Sequence, residues 1–132
     1  VAFDALTLNV DRTAKNPNLL SWHKQLWLID HGASLYFHHG WANPDESARS
    51  VFAPIRQHVL LPFANDLSHV RFTLSSAQLD EVISTVPQVW LENEPGFASA
   101  SELRAAYKRF FELRLANQRV FLEEAQRARQ QL

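Results

Sequence analysis

Cysteine and methionine are both absent from the 132 residues. Without cysteine there is no disulfide framework, no thiolate metal centre and no cysteine nucleophile, which suits a cytoplasmic setting. Long apolar runs are missing too: Val59–Ala64 is six residues and contains Pro62, so neither a bilayer span nor a signal peptide is readable. The net charge is only -1, which leaves no global field for gathering nucleic acid or an anionic membrane. No G-x-S-x-G elbow is present, which argues against a serine hydrolase. The six histidines include His38-His39 but no H-E-x-x-H spacing. Adjacent histidines point apart on either regular element, so a histidine metal-hydrolase centre finds no support.

What is present describes one domain over residues 1–132. Hydrophobic residues make up 46% and charged residues 20%, a globular and not a disordered balance. Charge is uneven: residues 101–132 carry a net +3 and residues 1–100 a net -4. The chain opens with Val1, so the expectation is either a removed initiator methionine or a piece of a longer protein.

Two regions emerge from the pattern. Residues 1–41 hold an N-V-D-R-T-A-K-N-P-N stretch (Asn9 to Asn18) and two short apolar runs, Leu19–Trp22 and Leu26–Ile29. Polar His23-Lys24-Gln25 between the runs predicts a β-hairpin with a three-residue loop. Residues 43–132 predict helices. Asn43-Pro44-Asp45-Glu46 is a start signal, and Pro54 and Pro62 cut the helical stretch beyond it into short pieces. Ser75 and Gln78 are spaced as a capping box, ahead of Leu79, Val82, Ile83 and Val86 on one helical face. Ser99 and Glu102 form a second such box, opening one helix expected to run to about Ala128. The fold class is therefore mainly α with a small N-terminal β-hairpin.

Chemistry concentrates at Asp11, Asn16 and Asp30. Asp11 and Asn16 are five apart in a loop closed by Pro17, and the hairpin returns the chain to Asp30 at the end of its second strand. That order predicts that three oxygen-bearing side chains meet in one cleft. Oxygen ligands suit Mg²⁺, which takes one or two protein groups plus phosphate oxygens and water. A plainer alternative has Asp11 capping a turn, Asn16 preceding a proline turn and Asp30 capping the next element.

Asp11-Arg12-Thr13-Ala14-Lys15-Asn16, succeeded by a hairpin and Leu28-Ile29-Asp30-His31-Gly32, resembles the catalytic and metal-binding loops of the protein-kinase-like superfamily. The Asp-Arg and Ile-Asp-x-Gly wording is similar to the phosphoinositide-kinase branch, and the Lys-Asn pair to HipA-like bacterial kinases. The stretches Phe52–Phe63 and Val86–Leu91 resemble the C-terminal part of the same family. The resemblance implies ATP- and Mg²⁺-dependent phosphoryl transfer to a hydroxyl in the parent enzyme. Asp11 is then the catalytic base or hydroxyl-orienting residue, and Asn16 and Asp30 are the cofactor-binding Mg²⁺ ligands. Lys15 adds charge near the phosphates, and His31 replaces the Phe common in protein kinases.

The departures are equally specific. Three glycines (Gly32, Gly40, Gly96) are not spaced as a phosphate-covering loop, and Lys15, Lys24 and Lys108 all lie at or after the catalytic loop. The resemblance therefore implies a kinase-like C-lobe whose natural partner is a missing N-lobe, inactive by itself. Apolar hairpin residues such as Leu19 or Leu26, and some of the four tryptophans, are expected to meet water and to favour a homodimer. The competing class is a non-catalytic helical protein-interaction domain.

Overall fold

The computed structural model describes residues 1–132. Five α-helices, four short 3-10 turns and one two-stranded antiparallel sheet make up the chain. The helices and strands run in the order α1 (Ala2–Thr7), β1 (Leu19–Trp22), β2 (Gln25–Leu28), α2 (Pro44–Arg49), α3 (Ser76–Ser84), α4 (Ala100–Ala116) and α5 (Gln118–Gln130). The 3-10 turns are Tyr36–His39, Ala53–Gln57, Leu61–Phe63 and Gln88–Trp90. The fold is mainly α with a small N-terminal β-hairpin. No helix is long and apolar enough to cross a membrane.

Local signals account for most starts and stops. Ser75 and Gln78 make both bonds of the capping box of α3. Ser99 accepts from the Glu102 amide at 3.2 Å, but the Glu102 carboxylate reaches back to the Ala98 amide, not that of Ser99. Pro54 and Pro62 sit in the first turn of their 3-10 segments, where a missing N–H costs nothing. Asn43 stands before α2 without a side-chain capping bond, and α2 lasts six residues.

Two expectations are corrected. The hairpin loop has two residues, because Gln25 pairs with Trp22 inside the ladder. His23 and Lys24 both adopt positive φ, 48° and 63°, the geometry that matches the twist of the strands. The expected single C-terminal helix is two helices that part at Asn117. The Asn117 side-chain amide donates to the Leu113 carbonyl at 2.7 Å, in competition with the helix's own ladder. The Gln118 side-chain amide then accepts from the Phe72 N–H at 2.8 Å and donates to the Phe72 carbonyl at 3.1 Å, which ties the start of α5 to a loop.

The core lies between α1, α4, α5 and the proline-led turns. Leu6, Phe52, Ile55, Leu61, Phe110 and Phe121 are buried there, and Ala48 and Ala125 allow close backbone approach. Arg114 is buried in the same core with no carboxylate partner. It donates to the carbonyls of Ala5, Ala48 and Ser50 and lies 4.1 Å from the centre of the Phe121 ring. Burial pushes its guanidinium down to about 10, still cationic at neutral pH. Only 22 residues are buried, which leaves much apolar surface on the hairpin and on α3.

Candidate functional site

The loop after α1 is built from side-chain bonds to its own backbone. Leu8 leaves the helix in the left-handed region. The Asn9 amide side chain donates to Asp4 at 3.0 Å, while its oxygen accepts from the Asp11 amide at 3.1 Å. The Thr13 amide bonds the carbonyls of both Asp11 and Asn16, and Thr13 Oγ1 accepts from the Asn16 amide. This closed turn lets Asn16 Nδ2 donate to Asp11 Oδ2 at 2.6 Å. Both bonds to the Asp11 carboxylate fall on Oδ2, so Asp11 Oδ1 is left without a partner, as is Asn16 Oδ1.

Asp30 arrives from the hairpin. The Ile29 amide donates to the Asn18 carbonyl at 3.0 Å, and Asn18 Nδ2 in turn lies 3.4 Å from Asp11 Oδ2. Asp30 itself holds φ +50°, a conformation that a strand does not supply. Its carboxylate accepts one bond, from the Gly32 amide at 3.4 Å, and faces solvent. Asp11 and Asn16 are thus in direct contact. Asp30 bonds neither of them and sits on the adjoining segment.

Arg12 joins the two segments. Its guanidinium donates to the carbonyls of Asn18 and Ile29, the latter at 3.2 Å, and to His31 Nδ1 at 3.3 Å. Arg12 can only donate, so His31 Nδ1 carries a lone pair and its Nε2–H points to the Leu28 carbonyl. Phe3 packs edge-on against the same imidazole. The residue after Asp30 is therefore locked by the residue after Asp11.

Beneath this sits a buried polar network that the sequence does not disclose. Asp4, at 0% exposure, accepts from Arg12 Nε and from His58 Nε2, both at 2.9 Å. The Leu60 amide donates to His58 Nδ1, so Nε2 is the ring nitrogen that donates to Asp4. Burial pushes the Asp4 carboxyl up, but the bonds from His58 and Arg12 and the Arg12 charge outweigh it, and the group falls to about 2. Strand-like pairing of Thr13 with His58, and of Val59 N–H with the Arg12 carbonyl, ties the loop to the middle of the chain. Only the Asp-Arg pair hinted at Arg12. Nothing in the pattern marked Asp4 or His58.

Asp11, Asn16 and Asp30 offer oxygen donors only, the chemistry that Mg²⁺ selects. No three His, Asp or Glu side chains gather into a metal-holding group of their own. A magnesium–nucleotide site does not require one, since phosphates and water complete the shell. Lys15 is exposed beside Asn16. Close by, Leu20, Trp22 and Trp27 share one face of the hairpin and are 47%, 59% and 50% exposed. Leu26, on the opposite face, is exposed near Phe63, and Leu19 is half-buried.

The HipA-like kinase family matches residues 1–123. No curated protein and no solved structure matches the chain.

Proposed function

This chain belongs to the HipA-like kinase family, and from that premise we propose that it is the C-terminal lobe of an ATP- and Mg²⁺-dependent kinase that phosphorylates a hydroxyl. The observation that carries the reading is the 2.6 Å bond between Asn16 and Asp11, on a loop that Arg12 bridges to the segment bearing Asp30. In this reading Asp11 orients the acceptor hydroxyl and takes its proton on Oδ1, because Oδ2 is occupied by Asn16. Asn16 Oδ1 and the free carboxylate oxygen of Asp30 are the groups that hold magnesium. The metal, when bound, neutralises charge on the transferring phosphoryl group. Asp4 and Arg12 touch no substrate; they position the loop.

A second lobe supplies the phosphate-covering loop and the strand lysine, since the three lysines here begin at Lys15. The exposed Leu20, Trp22 and Trp27 face is where that lobe and the nucleotide base pack. The 132-residue chain alone shows no ATP turnover, because most phosphoryl-transfer catalysis is positioning and charge stabilisation that it holds only in part.

Titration of the chain with Mn²⁺ and ATP, monitored by the electron spin resonance signal of free Mn²⁺, tests the site without needing turnover. Asp30→Asn should weaken ternary binding by tenfold or more, whereas Lys24→Gln, outside the site, should leave it unchanged. Binding indifferent to both Asp11→Asn and Asp30→Asn, with a protein partner captured equally by those variants, favours the interaction-domain reading instead. ATP hydrolysis by the chain alone that Asp11→Asn abolishes would refute the requirement for a second lobe.

A further inference from the structure

The apolar stripe of α3 is only partly used by the core. Leu79 is buried, but Val82 and Ile83 on α3, and Val86 just beyond its end, line an open cavity of about 340 Å³. Trp90 forms another wall and is 75% exposed, and Val82 is 58% exposed. This volume falls at the lower end of small-ligand pockets, roughly 300 to 1,000 Å³, which are apolar with a few placed polar groups.

Those polar groups are His38, Tyr107 and Arg104. His38 Nδ1 and the Tyr107 hydroxyl are 2.8 Å apart. Burial holds the imidazole below and the phenol above their ordinary values, so the pair is uncharged at neutral pH. Glu94, whose charge reaches both of them, does not line the cavity. Arg104 is thus the one formal charge on the wall. One of its N–H groups donates to the Val86 carbonyl at 2.6 Å, which fixes the guanidinium at the rim. The other four have no protein partner. Its helix neighbours differ: Lys108 is paired with Asp80 and Arg109 with Asp45. Arg104 alone among them faces apolar space without an anion.

We propose that this cavity binds a small amphipathic carboxylate, with an aryl or alkyl body against Val82, Val86 and Trp90 and its carboxylate on the free donors of Arg104. A planar guanidinium already held at one corner suits two-point capture of a carboxylate. The site is separate from Asp11 and Asp30.

Isothermal titration of the 132-residue chain with 4-phenylbutyrate, and with 4-phenyl-1-butanol as the neutral probe, tests the assignment. The acid should saturate with a Kd of about 1 mM or tighter. The alcohol should bind at least tenfold more weakly, and Arg104→Gln should erase that difference. Val82→Glu places a like charge at an exposed wall position that the fold tolerates, and should abolish binding of the acid with an unchanged circular dichroism spectrum. Asp30→Asn should leave it intact. Equal binding of acid and alcohol, or no saturation up to about 10 mM, would overturn the proposal. So would sedimentation showing a dimer that Val82→Glu dissolves, since a second copy would then occupy the cavity.

Discussion

Asp4→Asn is the sharpest perturbation of the network under the candidate site. It removes the only carboxylate paired with Arg12, whose side chain is 0% exposed, while keeping nearly the same volume. Two routes bound the effect. Asp4 falls from 3.8 to about 2 on folding, so its ionised form adds about 2 kcal/mol relative to a neutral group. Leaving a buried partner charge uncompensated costs about 3 to 5 kcal/mol. Asp4→Asn should therefore cost about 2 to 5 kcal/mol at pH 7, a large share of the roughly 5 to 15 kcal/mol typical of a domain. The sign of the pH dependence comes from the depressed value. The Asp4 contribution is complete above about pH 4 and is lost as pH falls through 2, where wild type protonates too. Urea unfolding read by tryptophan fluorescence at pH 7, 5, 3 and 2, at constant m, gives the comparison. The gap between wild type and Asp4→Asn should hold from pH 7 to 5, then shrink by about 2 kcal/mol by pH 2. A gap below about 1 kcal/mol at pH 7, or one that does not narrow in acid, would refute the account.

The hairpin carries two further expectations. Replacing His23-Lys24 with Asn-Gly relieves two left-handed non-glycine residues and should stabilise the chain by about 1 kcal/mol, read as a raised melting temperature. A lower melting temperature would mean that the edge-to-face contact of Trp22 with His23 outweighs the backbone term. The exposed Leu20, Trp22 and Trp27 face should drive self-association when no second lobe covers it. Sedimentation should show a concentration-dependent dimer that Trp22→Glu disperses; a strict monomer, or a dimer sensitive only to charges on α5, counts against this.

What the sequence disclosed was local. The hairpin, the Ser75 box and the Asp11–Asn16 spacing each involve partners within a few residues, and all three form. Misreadings came where distant groups decide. His23-Lys24 lacks the Gly or Asn that announces a two-residue turn. Asn117 reads as an ordinary helix residue until its side chain takes the Leu113 carbonyl and Gln118 binds Phe72. Arg114 lies in the segment of net positive charge, yet it is enclosed because carbonyls from α1 and α2 converge on it. Asp4 meets His58 across 54 residues, a separation that no periodicity encodes. The Asp11–Asn16 contact was legible and its supports were not.

The reach of Arg114 has a consequence in time. Its bond to the Ala5 carbonyl spans 109 residues, and α1, at six residues, is too short to persist in isolation. Within this chain α1 therefore gains its Arg114 anchor only once the last turn of α4 is in place. The loop bearing Asp11 hangs from α1 through Asp4 and Asn9, so it inherits the same delay. Closing contacts across nearly the whole chain is slow compared with forming α3 or the hairpin. In pulse-labelled hydrogen exchange, the amides of Asn9, Thr13 and Val59 should gain protection together with those of α5, well after those of α3. Protection of Val59 ahead of α5 would contradict this order. A chain folding on that schedule sets its Asp11–Asn16 contact only once its scaffold is complete.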